Sequence, residues 1–510
     1  MTTGAADGGR APVYTLAALM GLPAVAVAVA SRHGLGLSPD SVFYVSAARS
    51  FASTGQLTDL SGTPLTLFPP GLPILLGAAQ WVGIDATAAA RLLNIACAAL
   101  TVLLSYLLAR QVLHSRRWAL AVAALIAVAA STVQVYSMLW TEPPYVVLAL
   151  TALLVLTRAA AAQRITAREV VVVAGAVCAA TTLRFTGATL LPVVAVGVLL
   201  AERQRGWRRA SLVAAAATGS AALGLLAVAG RNVALGAPAL GERFGSGTTP
   251  AEIAADTMST LGGYLYPIGR PLPAPPAWVP IVIGTLIAAL AAYAAVRAVR
   301  TAESAAVVLA VYLAVYLAFL VYGHLSATVD PVDFRLLAPV STAGLILVAD
   351  AWSHARLRTV AVPLLAGLLT VSSLANLTQQ VRAAARSTAA DVARYNSPAM
   401  RDSPLGASLA ALPAGGVAAT DPVRAYWISG RVPAVQIPRR DYYWPPTRTA
   451  ADLETLRDAA RSGRVAYAAF FILDATALTP GEVRDAGIEL RPLQSFPDGT
   501  LWAVVHPAPA

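Results

Sequence analysis

Lysine is missing from this chain: all 37 basic residues are arginine. A P-loop phosphate cradle, a Schiff base and a kinase-type phosphate contact all need a lysine amine, so ATP-driven work is not expected. Cysteine is almost as scarce. The only two, Cys97 and Cys178, fall inside apolar stretches, where they read as small core hydrophobes; a disulfide framework and a cysteine-type zinc site are excluded. Charge of either sign is thin, 12% of residues against 57% hydrophobic, far from the balance of a soluble multidomain protein. Nor does the net charge of +11 point to nucleic acid. Much of the excess lies in short loops between apolar runs and nowhere forms a basic face with interleaved aromatics.

What is present is long apolar runs. Stretches near the roughly 20-residue length of a bilayer-spanning helix recur from Val13 to Leu374. Spans are expected near 12–30, 91–109, 118–139, 145–157, 169–187, 188–201, 210–230, 278–296, 303–323, 335–352 and 359–377, giving a mainly α, polytopic membrane protein of about 11 transmembrane helices. The first run lacks a small-residue cleavage site before Ser31 and is expected to be retained. No internal repeat of the transporter kind is visible.

Arginine sets the orientation, because short cytoplasmic loops collect basic residues. The loops carrying Arg110, Arg116 and Arg117, then Arg158, Arg164 and Arg168, then Arg203, Arg205, Arg208 and Arg209, then Arg297 and Arg300, then Arg356 and Arg358 all fall on one side. Alternation then places the N-terminus in the cytoplasm and the loop holding Asp40, the 231–277 and 324–334 loops and the C-terminal tail on the extracytoplasmic face of the cell membrane. The expected division is a transmembrane domain at 1–378, with its first extracytoplasmic loop at 31–90, and an extracytoplasmic soluble domain at 379–510. That tail reads as a small α/β domain: a strand at 416–420, a helix begun by Asp421-Pro422 and reaching Trp427, a helix at 451–462, a buried strand at 465–473 and a hairpin turning at Asp498-Gly499.

Residues suited to chemistry gather in the extracytoplasmic segments. Ser38-Pro39-Asp40-Ser41-Val42-Phe43-Tyr44 with Ala48-Arg49, then Gly55, then Leu67-Phe68-Pro69-Pro70-Gly71-Leu72-Pro73, then Ala90-Arg91-Leu92-Leu93-Asn94 resembles, in order and spacing, the start of the C-type (GT-C) integral-membrane glycosyltransferases. The nearest branch is that of the aminoarabinose transferases and protein mannosyltransferases. Trp140-Thr141-Glu142-Pro143, Arg184-Phe185-Thr186-Gly187 and Asp333-Phe334-Arg335-Leu336-Leu337-Ala338-Pro339 look like later landmarks of the same superfamily. The resemblance covers roughly residues 12–380, and the tail's Thr420-Asp421-Pro422 and Tyr426 to Arg431 are similar to a segment in outer domains of some bacterial members. It implies a GT-C fold, a polyprenyl-phosphate sugar as donor, a glycan, lipid or protein as acceptor, and work at the outer membrane surface. One departure stands out: many members carry two adjacent acids in the first loop, and here Ser41 follows Asp40.

The chemistry itself asks for three things: a base for the incoming hydroxyl, a cation for the leaving phosphate and a dry pocket at headgroup depth. Asp40 is the expected base of an inverting transfer. Arg335 leads for the phosphate, with Arg184 and Arg91 behind it, since arginine's fork donates two parallel charge-assisted hydrogen bonds and this chain has no lysine to compete. Tyr44, one turn beyond Asp40, shares its face, and Glu142 and Asp333 complete the substrate-binding candidates. Each has a plainer reading. Asp40 and Glu142 suit helix starts, where the dipole favours acids; Tyr44 suits an interfacial anchor; Arg335 suits an ion pair with Asp333 or Asp330. No metal site or cofactor is expected, apart from a divalent cation that an acid loop near Asp40 can hold together with substrate oxygens. The rival classes are a polytopic lipid or solute transporter or flippase, which calls for acids deep in mid-span, and a noncatalytic scaffold presenting its outer domain.

Overall fold

In a computed structural model the chain is described at residues 11–241, 248–264, 276–327, 330–354, 375, 378, 395–413, 415–440, 447–472 and 476–505. Among these residues, eight helical stretches are long and apolar enough to cross a membrane. They belong to α1 (Ala11–Ala30), α4 (Ala86–Leu113), α7 (Glu142–Ala161), α9 (Leu190–Glu202, with the 3-10 turn Phe185–Thr189 before it), α10 (Trp207–Ala234), α12 (Trp278–Arg300), α13 (Ser304–Ser326) and α14 (Phe334–His354). Large apolar side chains such as Leu212, Leu223, Leu226 and Leu286 stay exposed on the bundle's outside, as a lipid solvent permits. Inside, Tyr145, Tyr312 and Tyr316 are fully buried in one continuous core.

Two expected spans take a different form. The run at 118–139 is two helices, α5 (Arg116–Val128) and α6 (Ala130–Tyr136), broken where Ala129 adopts an extended conformation. The hydroxyl of Thr132 donates to the Ile126 carbonyl at 2.8 Å, so a side chain satisfies a backbone acceptor freed by the break. The run at 169–187 becomes α8 (Ala167–Leu183), which stops at an extended Arg184. The expected span at 359–377 lies outside the described residues apart from position 375, as does the stretch after the expected junction at 378. The expected loop at 231–277 contains an unforeseen helix, α11 (Pro250–Gly263), capped by Thr249 and Glu252.

The first loop is itself helical. It folds as α2 (Pro39–Thr54) and α3 (Gly71–Trp81). α2 ends at Gly55, whose φ of 74° only glycine adopts cheaply. The Pro69-Pro70-Gly71 turn brings α3 hard against α8: a Cβ on Gly71 would lie 2.6 Å from the Thr182 carbonyl oxygen.

The tail contains α15 (Pro404–Ala411), β1 (Val417–Ala419), α16 (Pro422–Ser429), β2 (Val435–Gln436), α17 (Thr447–Arg461), β3 (Tyr467–Phe471), α18 (Pro480–Asp485), β4 (Leu490–Phe496) and β5 (Gly499–Val504). Its sheet runs β2-β1-β3-β5-β4, with β1 parallel to both neighbours and β5 antiparallel to both of its own. The hairpin forms one residue earlier than expected. Phe496 pairs with Gly499, so Pro497 and Asp498 make the turn; Gly499 is required because a Cβ there would lie 2.3 Å from the Phe470 carbonyl oxygen. The tail docks on the first loop. Tyr395 N–H donates to the Leu37 carbonyl at 3.3 Å, Asn396 Nδ2 donates to the Leu35 carbonyl at 3.0 Å, and Trp427 of α16 lies under the Arg49 guanidinium at 5.5 Å.

Candidate active site

Asp40 owes its position to the way α2 begins. Ser38 is the cap residue, Pro39 occupies the first helical position, and the Ser38 N–H donates to Ser41 Oγ at 3.0 Å. Ser41 Oγ in turn donates to the Leu139 carbonyl at 2.8 Å, fastening the helix start to the segment before α7. Capping is thus done by serines. The Asp40 carboxylate takes no part in it and instead accepts from Arg335 Nη2 at 2.6 Å.

Arg335, in the first turn of α14, is the hub. Its Nε donates to Glu142 Oε1 at 2.5 Å and its Nη1 reaches Asp330 Oδ2 at 3.4 Å. Arg184, just beyond α8, meets the same Glu142 Oε1 at 2.5 Å through Nη1, which also donates to Thr141 Oγ1 at 2.9 Å. The result is a continuous chain, Asp40–Arg335–Glu142–Arg184, drawn from α2, α14, α7 and the end of α8. Exposure falls along it, from 28% at Asp40 to 11% at Arg335 and 0% at Glu142. Glu142 Oε2 is buried with no hydrogen-bond partner among the described residues. The face of Trp140 lies 4.5 Å from Arg335 Cζ, and its indole N–H donates to Ser38 Oγ at 2.8 Å.

Four of the seven expected residues therefore meet directly. Tyr44 is buried beside them in the cluster under α2, edge-on to Phe68 at 5.2 Å between centroids; burial, reinforced by the Asp40 charge, pushes its phenol up, so it stays a neutral hydroxyl. Asp333 is not ion-paired with Arg335 but accepts the Leu336 N–H at 3.1 Å, holding the first turn of α14. Arg91 lies apart from the chain of charges: it donates to Ser31 Oγ at 3.1 Å and to the Ala28 carbonyl at 3.0 Å, tying α4 to the end of α1. Trp140 and Thr141 went unassigned in the sequence reading; the signal available was their adjacency to Glu142.

The geometry disfavours a divalent ion at Asp40. A second cation there would lie against the Arg335 guanidinium, and Glu142, the buried acid on that guanidinium, is already shared by two arginines. Among the described residues no group of three or more His, Cys, Asp or Glu side chains is placed to hold a metal.

All these groups sit at one end of their helices, and the arginine-rich turns sit at the other. Glu142 opens α7 and Arg158 lies in its last turn; Arg335 opens α14; Arg184 follows α8, whose first turn holds Arg168. Membrane-length helices, an acid-bearing helical loop after the first span and a small α/β domain docked on that loop define the class: this is the GT-C fold. Similar solved structures include ArnT from Cupriavidus metallidurans bound to undecaprenyl phosphate, with a TM-score of 0.58 and 14% identity over 96% of this chain and 97% of that one. The archaeal oligosaccharyltransferase AglB from Archaeoglobus fulgidus, in complex with an inhibitory peptide and a dolichol-phosphate, gives 0.52 at 13% identity over 96% and 74%. The mycobacterial arabinofuranosyltransferase AftD gives 0.53 at 16% identity over 96% of this chain and 40% of its own. No family model matches the sequence, and no curated protein matches it.

Proposed function

We propose that this protein is an integral-membrane glycosyltransferase that moves a sugar from a polyprenyl-phosphate donor to an acceptor hydroxyl on the extracytoplasmic face of the cell membrane, with inversion. The observation that carries this reading is the pair of largely buried arginines bridged by Glu142 and ending on the partly exposed carboxylate of Asp40. Such a chain supplies a phosphate-binding cation and a base side by side, at the helix ends opposite the arginine-rich turns. The fold supports it, since ArnT and AglB were solved with undecaprenyl phosphate and a dolichol-phosphate respectively.

The ion pair also gives the reaction an order. The Asp40 carboxylate is occupied by Arg335 Nη2, and each nitrogen of Arg335 already donates to an acid, Nε to Glu142, Nη1 to Asp330 and Nη2 to Asp40. The donor's phosphate takes the Nη positions held by Asp40 and Asp330, the exposed partners, while buried Glu142 keeps hold of Nε. Asp40 is then free to accept the proton of the acceptor hydroxyl as its oxygen attacks the anomeric carbon. The bond from that carbon to the phosphate oxygen breaks, the electron pair leaves with the phosphate, and Arg335 meets the growing charge with Arg184 behind it. Donor therefore binds before acceptor.

The test uses purified protein in nanodiscs with undecaprenyl phosphate as the binding probe, and polyprenyl-phosphate mannose, glucose or arabinose with alkyl-glycoside acceptors for turnover. Saturable lipid-phosphate binding and transfer to at least one acceptor are expected, and a protein that does neither refutes the reading. For the face, cysteines introduced singly at Ser61 and near Arg116, in a background lacking Cys97 and Cys178, report orientation: an impermeant thiol reagent added to intact cells should label the first and spare the second. The reverse pattern would put the site in the cytoplasm.

A further inference from the structure

We infer that Trp140 is a positioning residue, one that holds the phosphate-binding arginine and the base-bearing helix in register; the inference rests on the function proposed above. A single side chain touches both halves of the site. Its ring face lies 4.5 Å from Arg335 Cζ, and its indole N–H donates to the cap hydroxyl of α2 at 2.8 Å, two residues before Asp40. It is 7% exposed, so both contacts are made away from bulk water, where they count for more.

Each contact fixes a different coordinate. The bond to Glu142 alone would let the Arg335 fork pivot about Nε; a ring face lying against Cζ limits that freedom and so steadies the Nη edge that a phosphate would take. When phosphate replaces Asp40 on that edge, the stack and the Glu142 bond both persist, so the arginine stays in place through the exchange. The N–H bond to Ser38 does the corresponding work for the base. Ser38 also lies 3.1 Å from Ser41 Oγ, and Ser41 is bonded to the Leu139 carbonyl, so the start of α2 is tied to the 139–140 segment at two neighbouring points. Asp40, once released from Arg335, can swing only as far as that helix start allows. A side chain that merely filled space would need neither a hydrogen bond at its edge nor a cation on its face.

Two variants separate the functions. Trp140→Phe keeps a ring under Arg335 and removes the N–H to Ser38; affinity for undecaprenyl phosphate is expected to stay within about 3-fold of wild type while kcat falls about 10-fold or more, since small misplacements of a reacting group are costly. Trp140→Leu removes both contacts, and affinity for undecaprenyl phosphate is expected to fall about 5-fold as well, the order of one cation–π contact. Combining Ser38→Ala with Trp140→Phe should cost no more in kcat than the worse single change, because both break one bond. Rescue of lipid-phosphate affinity by Phe without rescue of turnover is the result that supports the role. The inference is overturned if Trp140→Phe turns over like wild type, if affinity and kcat fall together in step with thermal stability, or if the Ser38 and Trp140 effects add. A wild-type protein that binds undecaprenyl phosphate and transfers sugar while all variants match it sinks this inference alone, whereas a wild type that does neither removes the proposed function and this role with it.

Discussion

Two helices of this molecule begin with nearly the same words and use their acids differently. α18, in the C-terminal tail, starts Thr479-Pro480-Gly481-Glu482; Glu482 is the third helical residue, and its Oε2 accepts from the Thr479 N–H at 2.8 Å and the Thr479 hydroxyl at 2.7 Å. α2 starts Ser38-Pro39-Asp40-Ser41, and there the third residue is a serine that does the capping while the acid stands one position earlier. In α18 the carboxylate is consumed by its own helix and by exposed Arg440. In α2 it is released from that duty and handed to Arg335, a residue 295 positions away. The plainer reading of Asp40 as a helix-start acid accounts for the fall of the chain but not for where the carboxylate goes, and the same holds for Glu142, whose Oε1 serves two arginines.

The largest effect should follow from breaking α2's side of this contrast. Asp40→Asn preserves the serine cap and the helix, yet an amide cannot accept the acceptor's proton, so transfer should drop by about 10²–10⁴-fold, measured as turnover with undecaprenyl-phosphate binding as the control for folding. Glu482→Gln, its counterpart, should leave turnover alone. Equal damage from the two would erase the distinction.

Next comes the shared acid. Glu142→Gln leaves two guanidiniums without their buried counter-charge, which should cost about 3–5 kcal/mol of stability, because removing one partner strands the other; thermal unfolding in a fixed detergent reads it. Arg335→Lys follows, retaining charge while losing the fork, with an expected loss of about 2–4 kcal/mol in transition-state stabilisation. Asp333→Asn supplies the control. Its amide oxygen still accepts the Leu336 N–H and asparagine caps as well as aspartate, so activity should stay near wild type. An active Arg335→Lys enzyme beside a dead Asp333→Asn would return Arg335 to a structural role.

How much of this was legible without coordinates follows the same line. The apolar runs, the helix starts and most of the tail's strands are local features, written in composition and period, and ten of the expected spans correspond to helical stretches in the structure. The break at Ala129 was hidden, since neither proline nor glycine marks it and a threonine hydroxyl sustains it. The site residues were visible as separate blocks. That Asp40, Glu142, Arg184 and Arg335 share bonds, that Arg91 serves α1, and that Trp140 touches two partners are consequences of packing between segments tens to hundreds of residues apart, which no periodicity records.

The smallest effect belongs to Glu482, and it sharpens the comparison through pH and salt. The Arg440 guanidinium and the Thr479 cap hold its carboxyl down at about 2, against an ordinary value of 4.5. A depressed folded value means the interaction contributes fully above the ordinary value and is lost as pH falls from there toward the folded one. Hydrogen exchange of the β3–β5 amides in the full chain, corrected for intrinsic rates, should therefore show Glu482→Gln slightly less protected than wild type at pH 6 and indistinguishable near pH 2. With side chains 42% and 40% exposed, the pair should also fade in 1 M salt, where the screening length is about 3 Å. The Glu142 cluster, shielded from solvent, should hold its thermal stability under the same salt. If salt weakens both regions alike, the buried chain is no more than another set of surface ion pairs, and the separation between a helix that spends its acid on itself and one that offers it to a substrate collapses.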